Sequence, residues 1–226
     1  MDAARRPRVK VCCIASLSEA WTAIRHGASA LGLVSRMPSG PGVIDDATIA
    51  EVAAAVPPGV SAFLLTCEQE VGALVAQQRR LRVGTLQLCD WLGRERLQEL
   101  REALPGIKLV QVIHVRGEVA LREAAEAAPH VDALLLDSGN PDLAVKELGG
   151  TGRRHDWTLS RRIREESPVP LFLAGGLTSA NAREAIAQVG PYALDVCSGV
   201  RNAGALDERK LYAFMEAAAG SAAASA

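Results

Sequence analysis

Aromatic side chains are scarce in this chain: three Trp, two Tyr and three Phe among 226 residues, although 49% of all residues are hydrophobic. A core of that make-up is built from Val, Leu, Ile and Ala, which suits parallel strands under Ala-rich helices better than an aromatic-rich all-β fold. An excess of one charge is also missing. The net charge of −1 gives no global pull toward nucleic acid or an anionic membrane. The basic stretch Arg161-Arg162-Ile163-Arg164 runs into Glu165 and Glu166, as on a solvated helix face. No run of about 18 apolar residues offers a membrane span, and the N-terminal MDAARRPRVK lacks the apolar stretch of a secretory signal. The five cysteines are an odd number without paired metal-type spacing. That pattern predicts reduced thiols and a cytoplasmic protein.

What the chain does have is alternation. Residues 9–14, 30–34, 60–65, 84–88, 108–113, 133–136, 170–173 and 193–196 read as eight short apolar strands. Helical periods follow each of them, over residues 18–26 (with Ser18 as N-cap), 46–56, 69–78, 94–104, 119–128, 157–166, 179–188 and 207–218. Hairpin signals do not cluster anywhere. Right-handed βαβ crossovers then leave a closed (β/α)8 barrel or an open doubly wound sheet. The first strand is not followed by G-x-G-x-x-G, and eight units in this length favour closure. The expected fold is therefore α/β, a single-domain (β/α)8 TIM barrel over residues 9–218. An N-terminal extension of residues 1–8 precedes it, and a tail of residues 219–226 frays beyond the last helix.

In a barrel the loops after the C-terminal strand ends build the active site. Those positions hold Cys12 and Cys13, Ser35 and Arg36, Gln87 and Cys89, Asp137, Gly175 and Gly176, and Ser198 and Gly199. GGTG (149–152), AGGL (174–177) and CSGV (197–200) put small residues where backbone N–H groups approach an anion; plain turn chemistry is the competing reading. Asp137 either caps the 138–140 turn or, if burial raises its pKa, serves as a general acid. Cys12 and Cys13 point to opposite faces if both lie on the strand, so one faces the barrel mouth and the other packs against a helix as a small hydrophobe. A cysteine base needs a neighbouring cation or helix N-terminus. The scatter of Cys12, Cys67, Cys89, Cys197 and His114 does not match zinc spacing, so no metal is expected.

VKVCCIAS (residues 9–16) resembles the K-[IV]-C-G-I-T segment that opens phosphoribosylanthranilate isomerases. The resemblance continues through HGASALGLV, LQLCD, VDALLLDS, GGTGRRHDW, LFLAGGLTSANAREAI and YALDVCSGV, and covers nearly the whole chain. It implies an aldose–ketose (Amadori) rearrangement of an N-substituted phosphoribosylamine in tryptophan biosynthesis, run without a cofactor by a monomer or homodimer on a phosphorylated small-molecule substrate. Carried over by motif, Cys12 is the general base and Asp137 the general acid. Gly150, Gly175, Gly176, Ser198 and Gly199 hold the phosphate, and Gln87 touches substrate. Five positions depart from the family pattern. Cys13 replaces a glycine, Ala15 a threonine, Cys89 a histidine and Cys197 a serine, and Arg201 stands where an acid is common. A sixth departure is larger: Gly42 falls where the family's arginine grips the anthranilate carboxylate, leaving Arg36 as the possible substitute contact. Two alternatives follow from these changes, a paralogue isomerising another phosphorylated aminosugar and a non-catalytic barrel that binds a phosphorylated metabolite. Retention of Cys12 and Asp137 argues against the second.

Overall fold

In the computed structural model, which describes residues 6–220, eight parallel strands close into a barrel in the order of the chain. They are β1 (Arg8–Val11), β2 (Ala30–Val34), β3 (Ser61–Thr66), β4 (Thr85–Leu88), β5 (Lys108–His114), β6 (Ala133–Asp137), β7 (Leu171–Leu173) and β8 (Ala193–Val196). Closure is made by β1 against β8, with Val11 opposite Val196. The intervening helices are α1 (Leu17–Arg25), α2 (Asp46–Ala55), α3 (Val71–Leu81), α4 (Arg94–Ala103), α5 (Val119–Ala127), α6 (Trp157–Glu166), α7 (Ala182–Val189) and α8 (Glu208–Ala219). A short antiparallel pair, β9 (Arg201–Asn202) and β10 (Ala205–Leu206), sits between β8 and α8. β1 and α8 each reach one residue beyond the expected barrel bounds. The rest of the expected extension and tail falls mostly at residues 1–5 and 221–226, outside the described residues. Among the described residues no helix is long and apolar enough to cross a membrane.

The two-residue period of a strand divides the core in two. Val9 and Val11, Leu31 and Leu33, Leu134 and Leu136, and Leu171 and Leu173 pack outward against the helices. Cys12, Ala30 and Val34, Phe63 and Leu65, Leu135, and Phe172 and Ala174 fill the barrel interior. The same parity turns Lys10, Gln87, Asp137 and Asp195 inward. Polar residues buried in apolar strands are thus gathered on one axis, and the upper end of that axis is the mouth.

Four helix starts differ from the expected ones: α3 begins at Val71 rather than 69 and α8 at Glu208 rather than 207, while α1 and α7 are moved by local hydrogen bonding. α1 is capped by Ser16 rather than Ser18: Ser16 Oγ accepts from the Glu19 amide at 3.2 Å, while Glu19 Oε2 accepts from the Ala15 amide at 3.0 Å. This reciprocal box satisfies two free amides at once, which Ser18 inside the first turn cannot do. α7 begins at Ala182, because Asn181 holds the preceding residues in a turn, accepting from the Thr178 amide at 2.8 Å and donating to the Gly176 carbonyl at 2.9 Å. β1 also ends at Val11, before the cysteine pair.

Candidate active site

The mouth of the barrel opens as a cleft of about 690 Å³. Cys12, Gln87, Asp137, Gly150, Gly175, Gly176 and Ser198 all line it, so most of the expected site residues come together. Gly199 does not. It is packed behind the wall, where an added Cβ would meet the Leu177 carbonyl at 2.0 Å. Arg36 does not line the cleft either; its side chain is exposed and Met37 takes the wall position.

Asp137 is the last residue of β6 and is buried. Burial pushes its pKa from 3.8 up to about 6, and nearby Asp195 adds to the rise, although a 2.7 Å bond from the Ser138 amide and the charge on Lys10 both act the other way. Ser138 is itself held by Thr151, Oγ to Oγ1 at 2.7 Å, which ties the acid to the glycine loop. A carboxyl poised near neutrality is suited to giving up a proton.

The same shift sets a pH dependence of stability. The fold favours the neutral form, so this contribution is complete below the unfolded pKa of about 3.8 and is lost as pH rises through about 6. The loss is roughly 2–3 kcal/mol. Asp137→Asn escapes it. Its melting temperature relative to the parent is expected to climb between pH 4 and pH 7.5 by roughly 4–10 °C. Melting curves that stay parallel across that range would contradict the assignment.

Cys12 continues the β1 ladder, its amide donating to the Val196 carbonyl at 2.8 Å, and its side chain faces the cleft. The cation that a cysteine base requires is Lys10, one inward position below. A Cβ built on Gly32 would sit 2.8 Å from Cys12 Sγ and 3.1 Å from Lys10 Nζ, so the missing side chain at Gly32 is what lets thiol and ammonium lie side by side. Lys10 is fully buried and bonds Asp195 at 2.8 Å. Burial alone would pull its pKa down; the Asp195 carboxylate, aided by Cys12, reverses this and leaves it above the ordinary lysine value, firmly charged. Sequence reasoning missed this pair. The available signal was parity, since Lys10 in VKV and Asp195 in ALDV share the inward register of Cys12.

Cys13 corrects the expectation that one cysteine packs against a helix. Its φ is +61°, a left-handed turn that swings its side chain back to the cleft, so both thiols line the mouth. The turn is braced by Arg201, whose guanidinium donates to the carbonyls of Cys12 (3.2 Å) and Cys13 and pairs with Glu19 at 3.0 Å. Cys13 Sγ lies 2.7 Å from Cys197 Sγ. It also fills the space above Gly42, where a Cβ would meet Cys13 Cβ at 2.5 Å. Cys89, one inward position above Gln87, is buried, and burial keeps its thiol protonated.

The opposite wall is a cluster of left-handed glycines: Gly150 (φ +68°), Gly152 (+67°), Gly175 (+83°) and Gly176 (+62°). A Cβ on Gly176 would collide with the Gly152 carbonyl at 2.9 Å, so the loops after β6 and β7 can approach this closely only with glycine. Among the described residues no backbone carbonyl accepts from the amides of Gly175, Gly176, Ser198 or Gly199. Such a nest of free amides suits an anion. Within the cleft Gln87 Oε1 and Asp195 Oδ1 are also buried without a donor.

Comparison with known proteins gives a consistent picture. The family model described as N-(5'-phosphoribosyl)anthranilate (PRA) isomerase matches residues 9–217. The chain is 37% identical to an N-(5'-phosphoribosyl)anthranilate isomerase of Neisseria gonorrhoeae over 216 residues, covering 95% of this chain and 97% of that one. Among solved structures, phosphoribosyl anthranilate isomerase from Thermotoga maritima is similar at a TM-score of 0.81 and 27% identity, over 94% of this chain and 98% of that one. That enzyme has also been solved as monomers generated from its dimeric form. A structure of phosphoribosyl anthranilate isomerase in complex with reduced 1-(o-carboxyphenylamino)-1-deoxyribulose 5-phosphate is similar at a TM-score of 0.78 and 25% identity, with 94% and 98% of the two chains covered.

Proposed function

Because the chain belongs to the N-(5'-phosphoribosyl)anthranilate isomerase family, whose members are isomerases of tryptophan biosynthesis, we propose that its cleft divides the rearrangement between Asp137 as acid and Cys12 as base. The observation that carries this reading is their convergence: a carboxyl poised near pH 6 and a thiol facing a buried ammonium share one cleft with a nest of free amides. Asp137 protonates the ring oxygen of the phosphoribosylamine and the furanose opens to a Schiff base. Cys12, as thiolate beside Lys10, removes the proton from C2, and the resulting enol relaxes to the ketose. The amides of Gly150, Gly175, Gly176 and Ser198, which line the cleft, hold the phosphate at the far wall. Gln87 Oε1 and Asp195 Oδ1 accept from the substrate's hydroxyl and amine groups. The protein acts in the cytoplasm, as a monomer or homodimer.

The carboxylate end of the substrate is where this chain departs from its relatives. Cys13 in place of glycine and Gly42 in place of arginine are one steric event, since the Cys13 side chain occupies the room that a side chain at 42 needs. Arg36 is exposed and outside the lining, with Met37 on the wall in its place. This observation favours a second reading beside the first, a member of the family that isomerises another phosphorylated aminosugar with a smaller or uncharged substituent.

Freshly made phosphoribosylanthranilate separates the two. Loss of its anthranilate fluorescence on addition of the purified chain supports the first reading; an inert mixture, with ribose 5-phosphate bound more tightly than the reduced o-carboxyphenylamino ribulose phosphate analogue, supports the second. The steric argument has its own test. Gly42→Arg alone is expected to gain no affinity for that analogue, whereas Cys13→Gly with Gly42→Arg tightens binding about tenfold or more, the worth of one charge-assisted pair. Equal dissociation constants for the single and double variants would refute the coupling.

A further inference from the structure

We propose that Cys13 and Cys197 are a reversible disulfide-forming pair that lowers turnover in the cleft when oxidised. Their sulfurs are 2.7 Å apart, just past the ends of the two strands that close the barrel, and both line the mouth where a small oxidant has access. A disulfide bond is about 2.05 Å long, so closing it moves the atoms by less than about 1 Å. Cys13 is kept as a side-chain-bearing residue at φ +61°, a conformation that costs a non-glycine residue on the order of 1 kcal/mol.

The thiols are also unequal. The hydrogen bond with Cys13 lowers the Cys197 pKa against the effect of burial, with Arg201 adding to the shift, while Cys13 is held protonated between Cys12 and Cys197. The oxidant class is a low-molecular-weight disulfide. The Cys197 thiolate attacks one of its sulfurs, forming a mixed disulfide and expelling the first small thiolate. Cys13, giving up its proton, then attacks the Cys197 sulfur, expels the second small thiolate and closes the Cys13–Cys197 bond. The two protein thiols are oxidised by two electrons and the small disulfide is reduced to two thiols.

The effect on turnover rests on the assignment of Cys12 and Ser198 above, because each end of the bridge adjoins one of them. Cys13 follows Cys12, and Cys197 precedes Ser198. A misplacement on the order of 1 Å in such groups costs up to about a hundredfold in rate. Turnover by the bridged form is therefore expected to fall about tenfold, with full recovery on reduction.

The test treats the full-length chain with glutathione disulfide and follows both mass and turnover. The expected product has lost two hydrogen atoms, its digest contains a Cys13–Cys197 linkage, Cys12, Cys67 and Cys89 are free thiols that alkylate once the chain is unfolded, and dithiothreitol restores the rate. Cys197→Ser and Cys13→Gly, each compared with its own untreated sample, should be insensitive. A bridge through Cys12, glutathione adducts alone, a bridge with no change in rate, or an equal loss in the variants would each overturn the proposal. Bridging without turnover in either state overturns the isomerase reading and the rate effect together, whereas turnover without bridging overturns this proposal alone.

Discussion

Cys12→Ala is expected to lower kcat for the rearrangement by about a thousandfold or more, the usual worth of a positioned base, while leaving the dissociation constant of a phosphorylated product analogue within about twofold. Alanine keeps the β1 ladder, because the Cys12 amide bond to Val196 is a backbone contact. It also leaves the glycine nest untouched, on the other side of the cleft. Asp137→Asn should lower kcat comparably for a different reason. The amide keeps the acceptor for the Ser138 N–H but has no proton to give to a ring oxygen. The two variants separate chemistry from binding only if measured together. A kcat loss accompanied by an equal loss of affinity would indicate a collapsed cleft, and an unchanged kcat in either would remove that residue from the mechanism.

Lys10→Met should have the largest effect on stability. Lys10 and Asp195 form a 2.8 Å ion pair with side chains 0% and 6% exposed, at the centre of the barrel. Methionine fills similar space but leaves the Asp195 carboxylate buried without its cation. Stranding one partner of such a pair costs about 3–5 kcal/mol, which for a chain of this length is roughly 6–20 °C of melting temperature. Replacing both partners, as Lys10→Met with Asp195→Leu, should recover most of that loss, because the desolvation penalty leaves with the second charge. A double variant no more stable than the single one would show that packing, not charge, is what Lys10 supplies. The single variant should also lose turnover at temperatures where it is folded, since the ammonium that faces Cys12 is gone.

The eight-fold alternation was legible from the sequence because short Val- and Leu-rich runs and long helical periods differ in length and spacing. Trp157–Glu166 and Ala193–Val196 match the expected bounds to the residue. The pairing of a thiol at the end of the first strand with a carboxylate at the end of the sixth was legible for the same reason, since barrel closure forces strand ends to a common rim. Three things were not. The left-handed turn at Cys13 could not be read, because strand parity assumes extended backbone and Arg201 reaches that turn from the other end of the chain. The Lys10–Asp195 pair joins residues 185 positions apart, and only the register of β1 on β8 brings them together. Arg36 carries a suitable charge at a suitable place in the sequence, yet its loop turns Met37 and Pro41 to the cleft and leaves the guanidinium outside.

In the proposed mechanism, proton transfer by a base and an acid in one cleft accomplishes the rearrangement. Running the reaction in deuterium oxide tests it most directly. A thiol exchanges its proton with solvent, so removal of the C2 proton by Cys12 predicts ketose product carrying deuterium at C1, with product formation lost in Cys12→Ala. Product formed by Cys12→Ala as fast as by the parent, and with no deuterium at C1, would mean that hydrogen moves between the two carbons without the thiol, and would contradict a mechanism built on Cys12.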